Sequence, residues 1–203
     1  MSSRDRAQQL LNGRELIFSH TAGQAWQFDQ ERFRRFVEFA FEFGATHIRI
    51  SLPFRYGSWL LPDNTDPYAA WCVDSVGILR LCPPPELQEW VPPADAQEAQ
   101  GLLNAQLEIM RPHGLKAVAH AVEPMWLPEG VYEAHPRWRG AQCELGRIAS
   151  RPYFAPAIDE PEVLDLYRRA MKHFAELFPE VDQFSFLSND SGAGLPWAPC
   201  LYP

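Results

Sequence analysis

Residues 46–54 read THIRISLPF, and the spacing of their side chains decides the predicted fold. Apolar and polar residues alternate along the stretch in two sets: Ile48, Ile50 and Leu52, and His47, Arg49 and Ser51. A period of two residues is typical of a β-strand with one buried face and one polar face. Just before it comes a helical pattern that Asp29 can cap, and Gly44 follows in the position that commonly ends a helix. The stretch therefore predicts a helix followed directly by a strand.

The same order of helix and strand recurs twice along the chain. A second helix is predicted from the capping pair Asp95 and Glu98, and the strand LKAVAHAVEP follows it. A third helix is predicted near Asp159, with Pro161 in its first turn, and the strand VDQFSFLS follows. A weaker strand, ELIFSH, precedes the first helix. The order β-α-β-α-β-α-β predicts an α/β fold with a parallel sheet.

The lengths of the connections indicate which end of the sheet carries function. Helix-to-strand connections are short, whereas the strand-to-helix loops 53–94 and 124–158 are long, and loops of that length are usually functional. They lie at the carboxyl ends of the strands, where α/β sheets and TIM barrels bind ligands. Neither GxGxxG nor a P-loop pattern follows a strand, so the predicted architecture is a (β/α)8 barrel rather than a nucleotide-binding sheet.

The predicted barrel is incomplete. Complete (β/α)8 barrels need about 250 residues, and only about four strands are found here. We therefore interpret residues 1–203 as a single domain, the N-terminal half of a barrel or a fragment of one. The outer edges of its first and fourth strands would be unpaired, which favours self-association.

Composition limits the classes of partner. The net charge of −8 argues against binding to a nucleic-acid backbone, and no segment has the pattern of a signal peptide or a membrane span. The cysteines have neither zinc-ligand nor CxxC spacing, which predicts reduced thiols in a cytoplasmic protein: Cys72, Cys82, Cys143 and Cys200. No cofactor is predicted.

Three stretches at the strand ends carry a resemblance to a known group of enzymes: ATHIRISLPFRYG, GLKAVAHAVEPMWLPEGVYEAHPRWRG and FSFLSNDSGAGLPW. Over about residues 45–197 the chain resembles the first half of glycoside hydrolase barrels, the broad group that includes hexosaminidases, α-glucuronidases and uncharacterised bacterial relatives. The resemblance implies a carbohydrate substrate and the missing C-terminal half of the barrel as a partner. It also implies that Asp190, at the end of the fourth strand, is the general acid. The chain departs from the pattern because it has Asn189-Asp190 where the commonest clan has Asn-Glu and hexosaminidases have Asp-Glu.

The residue types around Asp190 agree with this chemistry. Glycoside hydrolysis needs two carboxyl groups, one of them kept protonated, and partial burial would raise the pKa of Asp190. Aromatic rings stack on sugar faces, which makes Trp126 and Trp197 candidate platforms. Hydroxyl groups need charged or amide partners, and the candidates are Arg49, His120, Glu123 and Asn189.

Structural explanations remain open for each of these residues. NDSGAG is turn chemistry, His120 could be a hydrogen-bonded core residue, and the two tryptophans could fill loop contacts. Arg137 or Arg139 could lie in a surface turn or bind a substrate carboxylate.

Two other functions also remain open. One is a metal-dependent barrel hydrolase whose ligands would be His20, His120 and Asp190. The other is a half-barrel without catalysis that serves binding or assembly. As a glycoside hydrolase, the chain is expected to be inactive alone, because the second carboxylate would lie in the missing strands.

Overall fold

The computed structural model describes residues 3–20, 29–51, 77–142 and 152–188. A four-stranded parallel sheet contains, in spatial order, β1 (Ile17–His20), β2 (His47–Ser51), β3 (Lys116–Val122) and β6 (Val181–Leu187). A separate antiparallel pair consists of β4 (Arg139–Gln142) and β5 (Phe154–Pro156). The α-helices of the described ranges are α1 (Ser3–Leu11), α2 (Gln30–Glu42), α3 (Ile78–Leu81), α4 (Pro93–Met110), α5 (Glu129–Ala134) and α6 (Pro161–Leu177).

The strand order identifies the kind of parallel sheet. The four parallel strands lie side by side in the same order as along the chain, with helices α2, α4 and α6 between successive strands. Doubly wound sheets reverse their order at a switch point, whereas the strands of a (β/α)8 barrel follow one another without reversal. The predicted α/β class and parallel sheet are therefore confirmed, and the order is that of consecutive barrel strands.

The two faces of the sheet differ in polarity, as the alternation in THIRIS predicts. One face packs against the helices, and its strand residues belong to a single hydrophobic core: Ile48, Ile50, Ala117, Ala119 and Ala121. The helices contribute apolar stripes to this core, among them Phe33 and Val37 of α2 and Val163 and Phe174 of α6. The opposite face is mostly polar: besides Val118 and Val122 it carries His47, Arg49, Ser51, His120, Gln183 and Ser185.

The sheet curls toward its polar face. Glu15 precedes β1 and Gln183 lies in β6, at the opposite edge, yet Gln183 Nε2 donates a hydrogen bond of 2.8 Å to Glu15 Oε2. Edges three strand spacings apart would be separated by about 14 Å in a flat sheet, so these side chains meet only because the sheet is strongly curved. His47 lies between them, with Nε2 3.2 Å from Gln183 Nε2 and 3.5 Å from Asp182 Oδ1. The amino ends of the strands are thus joined across the polar face.

The helix boundaries show which local signals were sufficient. Asp29 caps α2 as predicted, accepting a hydrogen bond of 3.0 Å from Arg32 N, and Gly44 follows with φ +89°. The second helix begins earlier than the Asp95 signal predicts: α4 starts at Pro93, without a side-chain cap, and Asp95 lies in its first turn. Proline at the first helical position has the φ angle that a helix requires, which explains the earlier start.

Helix α1 was not predicted from the sequence. The loops 53–94 and 124–158 contain α3, α5 and the β4–β5 pair, so they are partly built from regular structure.

The structure bears on two expectations from the sequence, the state of the cysteine thiols and the lack of a membrane span. Cys82 is a free, buried thiol, and burial raises its pKa to about 12, so it stays protonated near neutral pH. Within the part of the chain that the structure describes, no helix has the length and apolar character needed to cross a membrane.

Candidate functional site

Three polar residues form a row across the carboxyl end of the polar face. Ser51 of β2 is in register with His120 of β3, and His120 is in register with Ser185 of β6. His120 Nδ1 lies 3.0 Å from the Ser185 carbonyl oxygen and 3.3 Å from its hydroxyl. A carbonyl oxygen only accepts hydrogen bonds, so Nδ1 carries the hydrogen and Nε2 is the acceptor of the neutral ring. The row therefore presents two hydroxyl groups and an oriented imidazole on one face.

Ser51 is the least satisfied member of this row. Only 5% of its surface is exposed, and its Oγ atom is buried without a hydrogen-bond partner among the residues that the structure describes. A buried hydroxyl without a partner costs roughly 1–3 kcal/mol. Ser51 therefore marks a point at the carboxyl edge where the protein leaves hydrogen-bonding capacity unused.

Arg49 lies on the same face, two residues before Ser51. Its Nε atom donates a hydrogen bond of 2.8 Å to Ser19 Oγ of the neighbouring strand. This bond fixes the direction of the guanidinium group, which is partly exposed. The structure thus places Arg49 on the same face as His120, as the alternation of the strand predicts.

Glu123 follows β3 directly and has a different environment from His120. Its Oε1 accepts a hydrogen bond of 2.5 Å from Ile78 N, at the start of α3. Its Oε2 accepts one of 2.9 Å from Met125 N and one of 2.8 Å from the hydroxyl of Tyr167 in α6. These three bonds join β3, α3 and α6, and we call this group of residues the Glu123 clamp. Both oxygens are engaged within the protein, so Glu123 connects segments of the fold rather than facing an open site.

Burial governs the ionisation of the clamp. Removal from water raises the pKa of Glu123 above its usual value, while the bonds from Ile78, Met125 and Tyr167 and the charge of Arg80 act in the opposite direction. The pKa of Tyr167 is raised well above its usual value, first by burial and then by the neighbouring Glu123. Tyr167 therefore keeps its proton and acts as a hydrogen-bond donor to the carboxyl group.

Gly77 fits tightly against the clamp. A Cβ atom at this position would lie 2.6 Å from Met125 Cβ and 3.1 Å from Glu123 Oε1. Any side chain at position 77 would displace Met125 and press against the carboxylate of Glu123. The close approach of Gly77 allows Ile78 N to reach the carboxylate.

Arg80 and Trp126 form a second buried contact beside the clamp. Arg80 Nη2 donates a hydrogen bond of 2.5 Å to the Trp126 carbonyl oxygen, and the guanidinium carbon lies 4.4 Å from the centroid of the indole. Tyr153 packs edge-on against the same indole, at 5.5 Å between centroids. Trp126 is only 1% exposed, so it has no open face on which a sugar ring could stack.

Sequence reasoning missed both Arg80 and Tyr167. In the sequence, Tyr167 is one of several apolar and aromatic residues at helical spacing, and nothing there singles it out. Arg80 stands in ILRL, within a stretch that was expected to be a loop. Arg80 is only 1% exposed, so it is part of the buried core, and its neighbours in the sequence give no sign of this burial.

Arg137 and Arg139 line an open cleft of about 430 Å³ between the β4–β5 pair and the start of α6. Arg137 Nη2 donates to both carboxylate oxygens of Glu160, at 3.0 and 3.1 Å, and Arg139 is paired with Glu129. Both guanidinium groups are thus neutralised by carboxylates of the chain itself, which favours the surface-turn explanation.

Several predicted residues lie outside the described residues. They are Asp190, Asn189 and Trp197, together with the side chain of His20. Within residues 3–20, 29–51, 77–142 and 152–188, no group of three or more histidine, cysteine, aspartate or glutamate side chains could hold a metal ion. The roles of Asp190, Asn189 and Trp197 remain predictions.

Comparison with known proteins gives similarity only to solved structures. No protein-family model matches the chain, and no curated protein matches it. A β-galactosidase from Marinomonas ef1 is 16% identical with a TM-score of 0.47, over 86% of this chain and 21% of that one. An α-galactosidase from Lactobacillus brevis is 14% identical with a TM-score of 0.49, over 96% and 25%. The galactosidase domain of an α-galactosidase–sucrose kinase is 13% identical with a TM-score of 0.43, over 89% and 22%.

The chain therefore spans a quarter or less of the length of these three proteins. None of them is a hexosaminidase or an α-glucuronidase, the groups named from the sequence.

Proposed function

We propose that the chain is the carbohydrate-binding half of a glycoside-hydrolase-type barrel. The observation that carries the proposal is the row of Ser51, His120 and Ser185 at the carboxyl edge, in which the buried Ser51 hydroxyl has no partner within residues 3–20, 29–51, 77–142 and 152–188. Barrel enzymes bind their substrates at this edge. Two hydroxyls and an imidazole are suited to the hydroxyl groups of a neutral sugar, since each of them can donate or accept a hydrogen bond.

The charges on the polar face support a neutral rather than an anionic substrate. Arg49 is the cationic side chain closest to the row along the strand, and one of its donors is already engaged by Ser19. Arg137 and Arg139, the candidates for a substrate carboxylate, are paired with Glu160 and Glu129. The proposed ligand is therefore an uncharged glycoside whose hydroxyl groups form hydrogen bonds with the row.

Catalysis would come from residues beyond the row. In the proposed mechanism Asp190 donates a proton to the glycosidic oxygen, Asn189 binds a substrate hydroxyl, and Trp197 stacks on the ring. Hydrolysis needs a second carboxylate across the bond, as nucleophile or as base. Glu123 does not fill that role, because both of its oxygens accept hydrogen bonds inside the clamp. The second carboxylate would come from the other half of the barrel, so this chain alone is expected to be inactive.

A binding titration with uncharged methyl glycosides tests the proposal. The full chain should bind at least one of them saturably, and His120→Phe should weaken that binding at least about tenfold, because it removes the imidazole from the row. His173→Phe is the matched control, since His173 is exposed on α6 and should leave binding unchanged. The absence of saturable binding by any glycoside, or an equal loss in both variants, would contradict the proposal.

A second experiment tests the proposed acid in an assembled, active barrel. Asp190→Asn should lower kcat by about 10²–10⁴-fold, and the loss should be smaller when the leaving group needs no protonation. The melting temperature should hardly change because the two side chains are nearly isosteric. Intact turnover with a lower melting temperature would instead identify Asp190 as a turn or capping residue.

A further inference from the structure

The carboxyl end of β3 is held differently on its two sides. Toward β2, the last described pair is His120 with Ser51, the residue at which β2 ends. Toward β6, the pairs continue to Val122 with Leu187, and Glu123 N then donates a hydrogen bond of 2.9 Å to the Leu187 carbonyl oxygen. Among the described residues, the part of β3 that follows His120 therefore has β6 as its strand neighbour on one side only.

A bulge separates this end of β3 and β6 from the amino end. The register shifts between Ala117 and Val118, and Asp182 of β6 has no partner in β3. A bulge leaves a residue unpaired and bends its strand, so the pairing before it does not impose the alignment after it. The alignment of His120 with Ser185 therefore depends on contacts at the carboxyl end.

Glu123 provides such contacts through its side chain as well as its backbone. Its carboxyl group joins the end of β3 to Ile78 N at the start of α3, at 2.5 Å, and to the hydroxyl of Tyr167 in α6, at 2.8 Å. The two helices also pack against each other. The clamp therefore attaches the end of β3 to a packed pair of helices.

The hydrogen bond that orients His120 is sensitive to this alignment. The Nδ1 atom of His120 lies 3.0 Å from the carbonyl oxygen of Ser185, on the neighbouring strand. At about 3.6 Å such a contact is no longer a hydrogen bond, so a small displacement of β3 against β6 would release the ring. Because the bond at one ring nitrogen decides the tautomer, the released ring could carry its hydrogen on Nε2 instead.

We propose that Glu123 is a positioning residue for His120 and that Tyr167 acts through it. Glu123 fixes the carboxyl end of β3 against β6 and so keeps the hydrogen of the neutral His120 ring on Nδ1, which leaves Nε2 as an acceptor. The role of that acceptor, to bind a ligand hydroxyl, rests on the proposed function. The effect of Glu123 on the ring does not.

Nitrogen NMR of the full chain, labelled at histidine, tests the proposal, because the shifts of the ring nitrogens show which of them carries the hydrogen. The chain has six histidines, and the signals that disappear in His120→Phe belong to His120. At about pH 8, above the usual titration range of histidine, wild-type His120 should carry its hydrogen on Nδ1. Glu123→Gln should lower the Nδ1–H fraction at least about twofold, because the amide places a donor where three donors already converge.

Tyr167→Phe should change the tautomer less, because the carboxyl group keeps its bonds from Ile78 N and Met125 N. Combined with Glu123→Gln it should add little, since the hydroxyl acts through the carboxyl group. Tyr167→Phe decides the question by itself if Glu123→Gln does not fold, because a folded Tyr167→Phe protein with an unchanged tautomer would contradict the proposal. Circular dichroism establishes that each variant is folded.

Two control variants separate positioning from a general loss of stability. Glu129→Gln makes the same chemical change outside the clamp, at the ion pair with Arg139, and should leave the tautomer unchanged. Phe33→Leu disturbs the core instead: Phe33 is 1% exposed on α2, a helix that takes no part in the clamp. It should lower stability and also leave the tautomer unchanged.

Glycoside binding provides a second readout at the same site. Glu123→Gln should weaken the binding of an uncharged methyl glycoside at least about threefold, in parallel with the loss of the Nδ1–H form. Phe33→Leu should leave binding unchanged. A tautomer that changes in Glu123→Gln although the wild-type chain binds no glycoside would support the positioning role and contradict only the proposed function.

Three results would overturn the proposal. A wild-type His120 with its hydrogen on Nε2 would show that Ser185 does not orient the ring. An unchanged tautomer in a folded Glu123→Gln protein would show that the clamp does not act on the row. An equal change in Phe33→Leu would show that any loss of stability releases the ring.

Discussion

Glu123 and Ser51 both lie where a strand reaches the carboxyl edge of the sheet, and the protein satisfies them to opposite extents. Glu123 accepts three hydrogen bonds, from two backbone amides and from Tyr167. Ser51 is just as near the edge, but its buried hydroxyl has no partner in the described part of the chain. Position at a strand end is therefore not sufficient to identify a site residue. Unused hydrogen-bonding capacity, rather than charge, distinguishes Ser51 from Glu123.

At the amino ends of the strands, by comparison, the polar side chains are well supplied with hydrogen-bond partners. There His47 contacts Thr46 and Gln183, and Gln183 also bonds to Glu15. The polar groups of that end pair with one another, as expected where a barrel is stabilised rather than active. The carboxyl end differs because none of the described residues gives Ser51 such a partner.

Glu123→Gln should cause the largest loss of stability. The amide group replaces one acceptor with a donor, so at least one of the three donors around Glu123 would lose its partner. We expect the free energy of unfolding to fall by about 2–4 kcal/mol, measured by urea denaturation. Glu129→Gln is the control: its ion pair with Arg139 is partly exposed and should be worth less than about 1 kcal/mol. Equal losses in the two variants would show that the clamp has no special role.

Tyr167→Phe should cause a smaller loss, because it removes one hydrogen bond and keeps the ring. The expected decrease is about 1–2 kcal/mol. In the Glu123→Gln background the same substitution should cost clearly less, since the hydroxyl no longer faces a carboxyl group. A double-mutant cycle measures this coupling, and a coupling energy of zero would mean that the two residues act independently.

The pH dependence of stability should reveal whether burial, or the hydrogen bonds and Arg80 acting against it, governs the pKa of Glu123. Burial raises the pKa of this carboxyl group in the folded state. The unfolded chain then releases its proton at lower pH than the folded chain, so stability should fall as pH rises from the ordinary range of glutamate toward the raised folded pKa. The measurement is the difference in unfolding free energy between wild type and Glu123→Gln across that range. A difference that grows with pH would show that Arg80 and the three donors outweigh burial.

Ser51→Ala should have the smallest effect on stability and the opposite sign. Removing a buried hydroxyl that has no partner should leave stability unchanged or raise it by up to about 1 kcal/mol. Glycoside binding should nevertheless weaken if the row is the site. Ser185→Ala is the comparison, because Ser185 Oγ lies 3.3 Å from His120 Nδ1 and its loss should lower stability. A Ser51→Ala variant with reduced stability and full binding would show that the Ser51 hydroxyl stabilises the fold and does not contact the glycoside.

Patterns between neighbouring residues made the sheet predictable. The alternation in THIRIS gives both faces of β2, and Asp29 with Gly44 gives both ends of α2. These signals act over one to four residues, so they can be read from sequence directly. The position of His120 on the polar face follows from the same alternation.

The clamp could not be predicted because its partners are distant in sequence. Glu123 contacts Ile78 and Tyr167, each more than forty residues away. The sequence presents Glu123 as a polar residue at a strand end, which fits a ligand contact equally well. The role of Trp126 was unpredictable for the same reason. Its aromatic ring predicts stacking on a flat group, but the sequence does not indicate that this group is the guanidinium of Arg80. The predicted acid, Asp190, stays a prediction, together with Asn189 and Trp197.

The absence of a side chain at Gly77 has a consequence for relatives of this protein. Only hydrogen fits between residue 77 and the pair Met125 and Glu123. A relative with a larger residue at this position would have to shorten Glu123 or move the segment that carries Ile78, and the hydroxyl of Tyr167 would then lose its acceptor. Positions 77, 123 and 167 should therefore change together in evolution. Such covariation would let distant relatives be recognised where overall identity is too low to align them.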